Sequence, residues 1–224
     1  NNLILALESG YRHIDIKQRY AEVLGLSLLQ YLQYIREVIE ETSIPREELW
    51  ITWNGNYNIE EIIVQLNCEY IDTVIANTNI KSLRNNKLIK NLAVENIYNF
   101  EELLVLHDEY QINTLQIQAH IKNDELIQQC NKIGIKVQLY GINSALRNLE
   151  TFPNDYDDYI YLINHITIYY MLKYVPSGNV IIVSSVNGDS IPKNIENYHA
   201  ILDGTIVESS IDIPRIERIL DEIG

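Results

Sequence analysis

The chain of 224 residues is short of basic side chains, with 17 Lys and Arg against 31 Asp and Glu and a net charge of −14. A nucleic acid or an anionic membrane surface needs a cationic face, so the balance argues against both as partners. There are only two cysteines, Cys68 and Cys130, far apart and without metal-ligand spacing. They read as reduced, buried thiols of a reducing, cytoplasmic compartment, and no metal site is expected. No run of 18 apolar residues and no signal peptide occurs, so a membrane role is not expected. Glycine is scarce, and no G-x-G-x-x-G phosphate loop is present. Phenylalanine is nearly missing, with 2 Phe against 16 Tyr, a skew that an AT-rich genome explains without a functional cause.

What is present is an alternation of short apolar runs and amphipathic stretches. Asn2 to Ser9 reads as a helix end closed by Gly10. Strands are expected at Tyr11–Asp15, Leu49–Trp53, Asp72–Ala76, Leu92–Glu95, Leu115–Gln118, Lys136–Tyr140 and Val180–Val183. Between them, residues 20–41 carry an apolar stripe at Leu28, Leu32, Ile35 and Ile39, spaced for one helix. Further helices are expected near 59–66, 100–109, 123–133, 156–174, 195–203 and 213–223. The polar segment 77–91 has room for only a stub of helix. Strands that alternate with helices, several of them nearly all apolar, indicate a parallel sheet covered by helices. Seven strands is one short of a closed (β/α)₈ barrel, which typically takes about 250 residues. The expectation is a single barrel domain over 1–224 whose first strand preceded Asn1.

The segment Ala6-Leu7-Glu8-Ser9-Gly10-Tyr11-Arg12-His13-Ile14-Asp15, followed by Tyr20, resembles the opening signature of the aldo-keto reductases. So do Ile44-Pro45-Arg46-Glu47-Glu48-Leu49-Trp50-Ile51-Thr52, Tyr70-Ile71-Asp72, Leu115-Gln116-Ile117-Gln118-Ala119-His120 and Val137-Gln138-Leu139-Tyr140. The resemblance runs from about residue 3 to 223, more weakly through 77–91 and 143–178. It implies a (β/α)₈ TIM barrel of aldo-keto reductase type that binds an extended nicotinamide dinucleotide, NADP(H), at the C-terminal mouth. It also implies four reacting side chains: a Tyr that protonates the substrate oxygen, a Lys that lowers the phenol pKa, an Asp that pairs with the Lys, and a His that positions the carbonyl. Asp15 and Tyr20 match two of these. Asn54 stands where the Lys would be, and Asn77 where the His would be. For the cofactor, Asn96, Gln116 and Tyr140 match family positions at the nicotinamide, but Glu95 replaces a serine. The lysine that grips the 2′-phosphate becomes Ser184, unless a slipped register brings in Lys193 of Ile191-Pro192-Lys193.

Three functional expectations follow. The first is a pseudoenzyme: a barrel that has lost carbonyl reduction, binds no NADP(H) or binds it weakly, and serves as a binding, regulatory or structural protein, with a protein partner or a second copy. The second is an NAD(P)H-dependent oxidoreductase with altered chemistry. A third is a barrel that kept a site for some other small molecule. Without its lysine, Tyr20 loses its activating cation, and Asp15 needs another partner, with Arg12, Lys17 and Arg19 nearby. His13 reads as a satisfied core histidine and His120 as facing the mouth, while His107, His165 and His199 read as surface residues. The tyrosines at 156, 159, 161, 169, 170 and 174 fit a partner surface or a compositional bias equally well.

Overall fold

A computed structural model describes residues 2–56, 58–76, 80–142, 156–183 and 188–223, with the side chains of 156–159 and 223 left aside. Among them, seven strands alternate with ten α-helices. Two compact units are present, Asn1–Gln116 and Ile117–Gly224, and the boundary falls inside the fifth strand. No described helix is long and apolar enough to cross a membrane.

The first unit opens with α1 (Asn2–Glu8), then β1 (His13–Lys17), α2 (Gln18–Val23), α3 (Leu28–Thr42), β2 (Trp50–Asn54), α4 (Ile59–Leu66) and β3 (Ile71–Ile75). After these come α5 (Ile80–Leu83), β4 (Ile89–Glu95), α6 (Phe100–Tyr110) and the start of β5 (Thr114–Gln118). Each of its strands pairs in parallel with the next. In β1, Ile14 and Ile16 are buried on one side, joining Leu32, Ile35 and Val38 of α3 in a core with Ile51 and Trp53. The two-residue period then sends His13, Asp15 and Lys17 to the other face.

Several boundaries differ from expectation. The first strand runs His13–Lys17 rather than Tyr11–Asp15, because its frame is set by pairing with Trp50–Asn54, with Asp15 beside Thr52 and Lys17 beside Asn54. The helix expected over 20–41 is two helices. Gly25 takes a left-handed φ of +67° between them, and Ser27 restarts the chain with a capping box to Gln30. The stub over 77–91 is α5, four residues long.

A second network explains another of the family-like motifs. Asp72, 4% exposed, accepts from Arg46 Nη2 at 2.6 Å and from the Ile51 amide at 2.9 Å, with Lys90 Nζ 3.6 Å away. The Arg46 guanidinium also lies over the Tyr70 ring, 4.2 Å from its centroid. These residues hold β2, β3 and β4 in register and take no part in the site.

The second unit holds the end of β5, α7 (Asp124–Lys132), β6 (Lys136–Tyr140), α8 (Tyr156–Tyr174), β7 (Val180–Ile181), α9 (Ser190–Leu202) and α10 (Ile213–Ile223). β6 and β7 pair in parallel. β7 ends at Ile181, two residues before the expected end, and α9 begins five residues early because Pro192 sits in its first turn, where no amide partner is needed. Tyr169, Tyr170 and Tyr174 are buried, so half of the tyrosine-rich stretch belongs to the core rather than to a partner surface. Tyr161 is exposed, and the side chains of Tyr156 and Tyr159 lie outside the described residues.

Candidate functional site

The C-terminal ends of β1, β2, β4 and the first-unit part of β5 bring together Asp15, Lys17, Asn54, Glu95 and Gln116. In parallel α/β folds this end of the strands carries the chemistry. Lys17 is the centre. Its side chain is 3% exposed, and its Nζ donates to Gln116 Oε1 at 2.5 Å. Asp15 Oδ2 lies 3.9 Å away and Glu95 Oε2 3.8 Å away, both outside direct hydrogen-bond range but close for an ion pair. Gln116 turns its amide the other way and donates to Asp15 Oδ1 at 3.2 Å, while Asn54 Nδ2 donates to Glu95 Oε2 at 2.9 Å.

The residue types suit this arrangement. A buried ammonium needs acceptors and countercharge, and Gln116 with two carboxylates supplies both. Burial lowers the Lys17 pKa and the two acids oppose that fall. Burial raises the Asp15 pKa, opposed by Lys17 and by the hydrogen bond from Gln116. The cluster carries two acids and one base, so its surroundings favour a cation and disfavour added negative charge.

Asp15 therefore finds its partner in Lys17, two residues on along the same strand. Arg12 is engaged elsewhere, donating to the Leu7 and Tyr11 carbonyls. Asn54 stands at the strand end, as the sequence placed it, tied to Glu95. Asn77 lies outside the described residues. Tyr20, on α2, is half-buried and packs against the hydrophobic core, with the Arg19 guanidinium 5.5 Å from its ring centroid. Among the described residues no hydrogen bond joins its phenol to Lys17 or Asp15. His13 is a core histidine, its Nε2 2.8 Å from Thr52 Oγ1, and burial pushes its pKa down to about 4. His120 Nδ1 accepts from the Lys122 amide and caps a short turn. His107 is half-buried rather than on the surface, with Nδ1 2.5 Å from the Ile112 carbonyl.

A cavity of about 260 Å³ opens beside the cluster, lined by Lys17, Gln18, Arg19, Glu22, Asn54, Gly55, Asn56 and Glu95. Gly55 is required there, since a Cβ would stand 2.5 Å from Trp53 Cζ2 and 2.8 Å from Gln18 Oε1.

Two of the side chains expected at a nicotinamide lie in the first unit. Gln116 is committed to Lys17 and Asp15. Asn96 has a left-handed φ of 57°, its amide donates to the Gln116 carbonyl, and its side chain accepts from the Tyr98 hydroxyl at 3.2 Å. Glu95 puts a carboxylate beside them. In the second unit Tyr140 ends β6, half-buried. Lys193 lies in α9, exposed and paired with Glu196, so the slipped register is not adopted. Ser184 lies outside the described residues.

Sequence reasoning named Lys17 only as one of three neighbours for Asp15, and missed that it is the cation of the site. The signal was there: His13-Ile14-Asp15-Ile16-Lys17 alternates, so Lys17 shares the face of Asp15. Glu95 as bridge between Asn54 and Lys17 had no sequence signal.

No family model matches the sequence. The chain is 27% identical over 164 residues to an uncharacterized oxidoreductase, YtbE, of Bacillus subtilis, across 62% of this chain and 57% of that protein. It is 34% identical over 77 residues to 9,11-endoperoxide prostaglandin H2 reductase of Trypanosoma cruzi, across 30% of this chain and 24% of that protein. The alignments thus span less than two-thirds of these relatives. Among solved structures, an aldo-keto reductase from a Medee basin deep-sea metagenome library superposes with a TM-score of 0.70 at 18% identity, covering 100% of this chain and 85% of that one. The Bombyx mori aldo-keto reductase AKR2E4, solved in complex with NADP, superposes with a TM-score of 0.64 at 21% identity, covering 96% and 85%. The chain has the fold of the aldo-keto reductases, with seven strands among the described residues where the closed barrel has eight.

Proposed function

We propose that this chain descends from the aldo-keto reductases, has lost NADPH-dependent carbonyl reduction, and acts as a binding component. One observation carries the reading. The ammonium at the strand ends comes from β1 and serves Asp15, Glu95 and Gln116 rather than the phenol of Tyr20. A positioned general acid contributes roughly 10²–10⁴-fold to such a reaction, and a phenol that no lysine ammonium supports is a poor one at neutral pH. The unmatched carboxylate of the cluster also opposes the negative charge that grows on a carbonyl oxygen and the charge of a dinucleotide. Binding of NADP(H) is therefore weak or lost.

The test is anaerobic NADPH consumption with a panel of aldehydes, beside a fluorescence titration with NADPH. The expected result is consumption at the buffer rate and no saturable binding at micromolar NADPH. Turnover at ordinary enzyme rates, about 1 s⁻¹ or above, would overturn the reading.

A further inference from the structure

The strand-end cluster holds a primary amine, not an imidazole or a phenol, on a residue that lines a cavity. Lys17 is buried, yet it lines a space of about 260 Å³. For scale, an apolar cavity of ~150 Å³ admits benzene, so the space suits a compact molecule of a few heavy atoms. Its walls are amides and charges, from Gln18, Asn54, Asn56, Arg19, Glu22 and Glu95. That lining rejects an apolar guest and suits one that carries hydroxyl groups.

We propose that Lys17 captures a small hydroxylated aldehyde in this cavity as a reversible Schiff base, flanked by Asp15 and Glu95. The proposal names the ligand class of the binding site described above and rests on that reading of the mouth. Amines attack carbonyls once they are deprotonated, and the Glu95 carboxylate beside Lys17 is the group that takes up that proton. The step balances within the site. Through one bridging water, Lys17 Nζ gives a proton to the Glu95 carboxylate 3.8 Å away, and its lone pair forms a bond to the carbonyl carbon. The C=O π pair moves to oxygen, which takes the second proton of Nζ, giving a neutral carbinolamine. The Glu95 carboxyl then protonates the hydroxyl, water leaves, and a protonated imine remains on Nζ. No oxidant or reductant is consumed.

The electrostatics favour the product. The iminium carries its positive charge at the nitrogen that held the ammonium charge, 3.9 Å from Asp15 and 3.8 Å from Glu95. Two carboxylates that stabilise the resting ammonium also stabilise the adduct. Gln116 keeps the amine aimed, by its bond to Nζ on one side and to Asp15 on the other.

The experiment uses the full chain with glycolaldehyde and cyanoborohydride and no nicotinamide, followed by peptide mapping. Cyanoborohydride delivers hydride to the iminium carbon and makes the link permanent. The expected result is Lys17 labelled at least tenfold faster than any other lysine, with the fast phase absent in Lys17→Arg, which keeps the charge and lacks the nucleophile. Glu95→Gln is expected to slow Lys17 labelling roughly ten- to hundredfold through loss of the proton carrier, with circular dichroism unchanged. Propionaldehyde, without a hydroxyl, is expected to label Lys17 more slowly. Labelling of Lys17 no faster than that of surface lysines in the folded wild-type chain would overturn the proposal, whatever the variants do. Because no NADPH is present, that failure is distinct from a positive NADPH consumption assay, which would instead overturn the loss of reduction.

Discussion

Replacing Lys17 with methionine removes the ammonium while keeping a side chain of similar length. At an effective dielectric of ~20, a unit pair 3.9 Å apart is worth about 4 kcal/mol. Glu95, a quarter exposed, adds less because water screens it. Against this, the desolvation of the ammonium is relieved. The stranded Asp15 also has an escape, since taking up a proton at pH 7 costs a carboxyl of ordinary pKa no more than about 4 kcal/mol. The net expectation is a loss of roughly 3 kcal/mol at pH 7. The sign of its pH dependence follows from Asp15. Its folded pKa already lies above the ordinary value through burial, and loss of Lys17 raises it further. Between the unfolded and folded values the native chain holds more protons than the unfolded one, so stability falls as pH rises, by up to ~1.4 kcal/mol per unit. The variant extends that window upward. Urea unfolding followed by circular dichroism from pH 4 to 8 is expected to show the cost of Lys17→Met shrink below about 1 kcal/mol near pH 4 and grow toward pH 7. A cost independent of pH, or a variant as stable as wild type at pH 7, would refute the reasoning.

Two further outcomes follow from the same geometry. Gly55→Ala drives a Cβ against Trp53, which is wholly buried and cannot retreat, and against the Gln18 oxygen that accepts from the Asn56 amide. A loss of roughly 1–3 kcal/mol is expected on thermal melting, and unchanged stability would show that the rim yields. His13, whose folded pKa of about 4 lies below the unfolded value near 6.5, contributes stability that is whole above pH 6.5 and lost as pH falls toward 4. His13→Gln should remove up to ~1.4 kcal/mol per pH unit of slope in that window, read as the difference between the two unfolding profiles.

The alternation of strands and helices was legible because each strand is short, apolar and bounded by polar turns. β6, α8 and α10 stand where periodicity put them. The failures have local causes. The stripe through Leu28, Leu32, Ile35 and Ile39 is that of α3 alone, and the chain before it breaks at Gly25, where Val23 and Leu24 are left exposed. β1 starts late because its frame depends on pairing with β2, a tertiary fact. In the site, Asp15 and Asn54 could be placed from the resemblance, whereas Lys17 stood only as one of three sequence neighbours of Asp15. The salt bridge from Lys17 to Glu95, 78 positions further on, exists only because the strands bring their ends together.

The central claim is that the cation of this site is held by carboxylates and not lent to a phenol. Its most direct test compares aldehyde-dependent NADPH consumption by the wild-type chain and by Tyr20→Phe. The expected result is the same background rate for both. A wild-type rate of ordinary enzymatic size that drops 10²–10⁴-fold without the Tyr20 hydroxyl would contradict it.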